Sequence, residues 1–226
     1  MEFSFFKKSL LTIYRIGVLF IVFVIIGYFL MSPEKKLPVY NPADVNPVLV
    51  DPSVKHIRTN HKIADFKLIN QNGDTITQVN YAGKIYVADF FFTRCQTICP
   101  IMTDNMTRIQ QAFKDDPTVM LLSHSVTPDI DSIPVLRAYA DKKGVIDSKW
   151  NIVTGDKKQI YNLARKSYFA VLDEGDGGLQ DFIHTEQFVL VDKNRQIRGF
   201  YDGTNRDDIA RVIDDIHLLQ QEDKKN

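Results

Sequence analysis

Both cysteines of the chain lie in one short stretch, FFFTRCQTICPIMTDNM (residues 90–106). Cys95 and Cys99 are separated by three residues, and Pro100 follows at once. In a helical segment, cysteines four positions apart lie about 6 Å from each other, within reach of a disulfide or of one shared metal ion. A disulfide here would close a very small loop and remove little entropy from the unfolded chain, which disfavours a purely structural role. The spacing therefore indicates a redox pair or part of a metal site.

The element that presents these cysteines is predicted to be a strand followed by a helix. Lys84 to Thr93 (KIYVADFFFT) is apolar almost throughout, which is typical of a strand in the centre of a sheet. Pro100 to Lys114 has apolar residues at helical spacing. The cysteines then follow the carboxyl end of a central strand, where open α/β sheets place their functional crevices. The free N–H groups at the start of the helix favour a thiolate over a thiol.

Asp89 is the acidic residue of the predicted central strand, six residues before Cys95. A carboxylate buried there would have a raised pKa and would be suited to accept a proton during thiol chemistry. The alternative is an aspartate that is hydrogen-bonded and has only a structural role.

The remaining chain alternates between strands and helices. It predicts an α/β fold with a mixed central sheet flanked by helices, which is the element order of a thioredoxin-like fold with an added N-terminal hairpin. The predicted elements are a hairpin at 64–76 around Asn72-Gly73, strands at 119–126 and 151–154, helices at 132–143 and 156–166, a second hairpin at 187–201, and a final amphipathic helix at 206–220.

The N-terminus is apolar from Leu10 to Met31, interrupted only by Arg15. About 22 residues at ~1.5 Å each span about 33 Å, enough to cross a hydrocarbon core of ~30 Å. No small-residue cleavage signal follows, and the slight excess of Lys and Arg before the span favours a cytoplasmic N-terminus at residues 1–9. We predict a single transmembrane anchor in a bacterial cytoplasmic membrane with the rest of the chain exported. A mitochondrial inner membrane is the less favoured location because Glu2 is atypical of a presequence.

Residues 32–60 separate this anchor from a domain at 61–226. Five prolines recur in the segment every four or five residues, which prevents a long helix and favours an extended path. The segment is either a linker that holds the domain away from the membrane or an irregular chain that wraps the domain.

The charge balance excludes one class of function. The chain has 28 basic and 28 acidic residues and a net charge of zero, so it lacks the basic excess of a general nucleic-acid binder. Two cysteines are also too few for a disulfide-rich scaffold.

Three stretches, TRCQTICPIMT, SVTPDIDSIPVLRAYA and DFIHTEQFVLVDKNRQIRGFY, resemble the signature regions of the Sco/SenC family in the same order. Members of this family are membrane-anchored, thioredoxin-like proteins associated with copper delivery to the binuclear copper centre of cytochrome c oxidase subunit II. The resemblance implies that Cys95, Cys99 and His184 are copper ligands and that subunit II is the client. The chain departs from the family at residues 96–98, where an acidic residue often stands between the cysteines.

The proposed ligands also suit copper chemically. Two thiolates and one imidazole form a soft, low-coordinate set that fits Cu(I), with a fourth position that can open for Cu(II). A closed zinc site needs a fourth protein ligand, and none is evident. An ordinary thioredoxin has a cis-proline beside its cysteine pair, but this chain has no proline between residues 166 and 187. That absence favours a metal carrier over a general dithiol reductase.

The other candidate ligands receive structural interpretations. We expect Met102 and Met106 to face the core, His124 to be a hydrogen-bonded strand residue, and His61 to be solvated.

Two functions therefore remain open. The first is a copper-binding assembly factor, a metallochaperone rather than an enzyme in the strict sense, whose cysteines also cycle between dithiol and disulfide. The second is a membrane-tethered thiol–disulfide oxidoreductase in which copper binding is incidental. His184 favours the first function, and Asp89 favours the second. The oligomeric state is not predicted.

Overall fold

The computed structural model describes residues 14–27, 36–171, 183 and 185–225. It divides into two units, Met1–Lys35 and Lys36–Asn226. In the first unit residues 14–27 form helix α1, whose large apolar side chains are exposed, from 42% at Val18 to 75% at Phe23. Within the described part of the chain, no helix is both long and apolar enough to cross a membrane. The two ends of the predicted span, Leu10–Met31, lie outside the described residues.

The second unit is built on one seven-stranded sheet with the strand order β2-β1-β5-β4-β3-β6-β7. Strands β3, β4 and β5 are parallel, and an antiparallel hairpin flanks them on each side. The predicted mixed central sheet is therefore confirmed. The strands are β1 (Lys67–Asn70), β2 (Thr75–Thr77), β3 (Ile85–Phe91), β4 (Val119–Ser125), β5 (Trp150–Thr154), β6 (Gln187–Val191) and β7 (Ile197–Asp202).

Helices cover both faces of this sheet. Apolar side chains of α2 (Ile98–Ala112), α3 (Ile133–Lys143) and α5 (Arg206–Lys225) form one core with one face of the sheet. The other face is covered by α4 (Lys157–Asn162), which continues into a π-helical turn at Leu163–Ser167. All seven residues of β3 are buried because helices or irregular chain pack on both of its faces, which explains its continuous apolar run.

The Pro-rich residues 36–60 belong to the second unit and contact its sheet. The backbone N–H of Tyr40 donates to the carbonyl of Ile197 at 2.9 Å. The guanidinium of Arg198, which is almost buried, donates to the carbonyl of Leu37 at 2.7 Å. These two hydrogen bonds hold residues 37–40 against β7. Prolines prevent a long α-helix here but leave the carbonyls free to accept such hydrogen bonds.

Candidate metal and thiol site

Cys95 lies between β3 and α2, and its sulfur accepts a hydrogen bond from a backbone N–H in the first turn of α2. Thr97 is the N-cap residue of α2 but makes no side-chain cap hydrogen bond. Instead, the backbone N–H of Cys99 donates to the Cys95 Sγ at 3.4 Å. Partial burial opposes the charged form of Cys95, but hydrogen bonds from Cys99 and Thr97 outweigh it and lower the pKa of the Cys95 thiol to about 7. These hydrogen bonds therefore favour the thiolate form of Cys95.

Cys99 has the opposite environment. Its side chain is 3% exposed and belongs to the core between the sheet and α2. Burial, together with smaller effects of the nearby Cys95 and Asp89, raises the pKa of the Cys99 thiol to about 12. Both cysteines are free thiols. The pair thus contains one accessible thiolate and one buried thiol that needs a base before it can react.

Asp89 lies close enough to the thiol pair for its charge to raise the pKa of Cys99. Its side chain is 1% exposed and lies on the α2 side of β3, as do the neighbouring Val87 and Phe91. Burial raises the pKa of Asp89 to about 7, and a hydrogen bond from Ser123 partly opposes that rise. A carboxyl group with this pKa exchanges protons near neutral pH.

Asp131 was missed in the sequence analysis although it organises the loop that carries Cys95. Its fully buried carboxylate accepts hydrogen bonds from the Thr93 hydroxyl (2.6 Å), the Ser125 hydroxyl (2.6 Å) and the Thr127 hydroxyl (3.0 Å), and also from the Thr93 backbone N–H (3.2 Å). It therefore ties the chain after β3 to the chain after β4. The TPDID stretch (residues 127–131) contains two aspartates, but the sequence pattern alone does not show that Asp131 is buried and Asp129 is exposed.

His184 lies outside the described residues, so its ligand role stays a prediction. Across the described ranges, no group of three or more His, Cys, Asp or Glu side chains is placed to hold a metal ion. Next to His184, the Thr185 hydroxyl donates to the carbonyl of Ala170 at 2.6 Å. The structure therefore brings Cys95 and Cys99 together and leaves the third ligand open.

The remaining candidates have mixed outcomes. Met102 and Met106 are fully buried in the core, as expected. His124 is fully buried, and its Nδ1 lies 3.2 Å from the carbonyl of Asp89, as expected for a hydrogen-bonded strand residue. The expectation for His61 is wrong, because this residue is 6% exposed and its Nε2 donates to the carbonyl of Ser167 at 2.8 Å.

Comparisons with known proteins identify a single family. Residues 54–220 match the SCO1/SenC family. The SCO1 protein homolog of Bacillus subtilis (strain 168) is 31% identical over 159 residues, which cover 70% of this chain and 82% of that protein. The crystal structure of a SCO1/SenC family lipoprotein from Bacillus anthracis str. Ames is 32% identical with a TM-score of 0.63, and the match covers 71% of this chain and 96% of that chain.

Two further structures share the fold. BsSco, described as a member of the Sco family of cytochrome c oxidase assembly proteins with a disulfide switch, is 29% identical with a TM-score of 0.62. That match covers 72% of this chain and 95% of BsSco. ScoI of Bradyrhizobium japonicum has been solved with copper bound; it is 21% identical with a TM-score of 0.56, and the match covers 71% of this chain and 99% of that chain. At this identity the likeness to ScoI shows the fold alone.

Proposed function

This chain belongs to the SCO1/SenC family, and on that premise we propose that it is a copper-binding assembly factor of cytochrome c oxidase. In this proposal the exported domain delivers copper to the binuclear copper site of subunit II, or reduces the cysteines of that site. Copper is the cargo of the protein rather than a resident cofactor. Cys95, Cys99 and His184 are the proposed ligands.

The observation that carries the proposal is the position of the two sulfurs at the start of α2. Cys95 is only partly buried and is stabilised as a thiolate at neutral pH. Cys99 lies one helical turn away, and its N–H contacts the Cys95 sulfur. A soft metal ion bound by Cys95 would meet the second sulfur without rearrangement of the backbone. Binding would also have to displace the proton of Cys99, as thiolate coordination always requires.

The test is copper titration of the full-length protein, purified in detergent with both cysteines reduced. We expect one Cu(I) per chain. Either cysteine changed to serine should abolish tight binding because a single thiolate remains. Ser132→Ala, at an exposed hydroxyl of the α3 N-cap that makes no side-chain cap hydrogen bond, serves as the control and should bind like the wild type. Equal Cu(I) affinity in the wild type and in both cysteine variants would contradict the proposal.

We also propose that Leu10 to Met31 anchors the protein in the membrane with Cys95 on the exported side. What supports the anchor is the apolar sequence of the whole span together with the exposed apolar side chains of α1, which need an apolar environment. A reporter that works only outside the cytoplasm should be active when it is fused to the C-terminus. If only a reporter that works in the cytoplasm is active in this fusion, the proposed orientation is wrong.

A second candidate function is reduction of client disulfides with copper binding incidental. The specific observation that favours it is the difference between the two thiols, because a reductase uses one accessible nucleophilic thiolate and one buried resolving thiol. The same protein can use this chemistry to prepare the cysteines of a copper site before copper transfer.

A further inference from the structure

The chain that leads into the thiol pair is fastened to the loop before α3. Residues 92–95 form a tight turn, in which the Cys95 N–H donates to the Phe92 carbonyl at 3.3 Å. Thr93 is the second residue of this turn. Its backbone N–H (3.2 Å) and its hydroxyl (2.6 Å) donate to the two oxygens of the Asp131 carboxylate, which is fully buried. The turn that ends at Cys95 is therefore held at two points by a residue that stands two positions before α3.

The chain that leads out of the thiol pair is fastened to α3 itself. The hydroxyl of Thr103, one helical turn after Cys99, donates to the Cys99 carbonyl at 2.8 Å. The same hydroxyl oxygen lies 2.6 Å from the hydroxyl oxygen of Tyr139 on α3. A hydroxyl has a single proton, so Tyr139 is the donor in this second contact. Two hydrogen bonds in series thus connect α3 to the backbone of Cys99.

The far end of α3 is also fixed against α2. The side-chain amide of Gln110 on α2 donates to the carbonyl of Gly144, the C-cap residue of α3, at 2.9 Å. Its oxygen accepts the backbone N–H of Ile146 at 2.8 Å. Gln110 is buried, so breaking either bond would leave a polar group unpaired. Helix α3 therefore cannot slide along α2 without the loss of these bonds.

We propose that residues 131–139, here called the α3 brace, fix the separation of the Cys95 and Cys99 sulfurs, with Asp131 and Tyr139 as positioning residues. Cys95 belongs to no strand or helix, so its place depends on the turn before it. Binding of one Cu(I) by two thiolates and closure of a disulfide both require a narrow range of sulfur–sulfur distances. This inference rests on the proposed copper and thiol function of the pair.

The test compares three single-hydroxyl deletions in the reduced full-length protein, purified in detergent. Thr93→Val removes a hydrogen bond to the Asp131 carboxylate, and Tyr139→Phe removes the bond to Thr103. Tyr201→Phe is the matched control, because its hydroxyl donates at 2.9 Å to the buried carboxylate of Asp215, between β7 and α5. It should destabilise the protein to a similar extent without touching the brace.

The first measurement is the Cu(I) affinity of each variant. Thr93→Val should lower this affinity about tenfold, which is at the low end of what one hydrogen bond to a charged group contributes. Tyr139→Phe should lower it about threefold, because the lost bond joins two neutral groups. Tyr201→Phe should bind copper like the wild type. Thr93→Ser keeps the hydroxyl and should restore the affinity.

The second measurement needs no copper. In a glutathione buffer, two glutathione thiols reduce the Cys95–Cys99 disulfide to the dithiol and become one glutathione disulfide. The equilibrium constant reports how well the two protein sulfurs are held together. Thr93→Val and Tyr139→Phe should shift this equilibrium toward the dithiol by about the same factors as above. Tyr201→Phe should leave it unchanged.

The outcomes separate the brace from general destabilisation and from the proposed function. If Thr93→Val and Tyr139→Phe change both measurements no more than Tyr201→Phe does, the inference is overturned. A wild-type protein that binds no Cu(I) would refute the copper function, and the glutathione equilibrium would still decide on the brace. Trp150 is the only tryptophan of the chain, so its emission checks that each variant is folded. If Thr93→Val does not fold, Tyr139→Phe decides alone.

Discussion

Replacement of His184 by alanine is expected to lower the Cu(II) affinity of the reduced protein by at least about 100-fold. Loss of a residue that merely orients a metal ligand already costs ~10–100-fold in affinity, and loss of a ligand costs more. Cu(II) prefers nitrogen donors more than Cu(I) does, so Cu(I), held by two thiolates, should be affected less. The Cu(II) complex should also lose its characteristic sulfur-to-copper absorption. The measurements are copper titrations in each oxidation state.

This variant also discriminates between the two candidate functions. His184→Ala leaves Cys95 and Cys99 in place, so a pure reductase should keep its exchange rate and support its client. A copper carrier should keep exchange but fail to support cytochrome c oxidase activity in cells. His217→Ala is the matched control, because His217 is exposed on α5. Wild-type copper binding and full oxidase activity in His184→Ala cells would remove His184 from the site and the carrier function with it.

Asp131→Ala is expected to destabilise the protein by about 3 kcal/mol or more. The substitution leaves the hydroxyls of Thr93, Ser125 and Thr127 without their shared acceptor, and each stranded polar group costs about 1–3 kcal/mol. For a chain of this size, that corresponds to a fall in Tm of roughly 6–12 °C. The loop that carries Cys95 should loosen first, because Thr93 lies two residues before it. Thermal unfolding and hydrogen exchange of residues 92–97 measure the two effects.

Asp129→Ala provides the matched control for this loss. Asp129 lies in the same loop but is exposed, so its removal should change the unfolding free energy by less than about 0.5 kcal/mol. If Asp131→Ala unfolds at the same temperature as Asp129→Ala, the hydrogen-bond network around Asp131 is not what holds the loop.

Several elements were predictable because their signals are local. The buried run of β3, the hairpin at Asn72-Gly73 and the alternation of strands and helices all follow from side-chain periodicity and turn chemistry within a few residues. The second hairpin, predicted at 187–201, is observed as β6 (Gln187–Val191) and β7 (Ile197–Asp202). Helix α2 begins at Ile98, two residues before the predicted start at Pro100, because the Cys95 sulfur accepts the N–H of Cys99 as part of the first turn.

Features that depend on neighbouring elements required the tertiary structure. The sequence by itself determined that Cys95 and Cys99 stand between a central strand and a helix, and that Asp89 lies on that strand. Only the folded chain decided that Cys95 is the accessible thiolate, that Asp131 rather than Asp129 is buried, and that Ser123 is the cross-strand neighbour of Asp89. Periodicity shows which face of an element is apolar, whereas burial and hydrogen-bond pairing depend on which elements become neighbours in space.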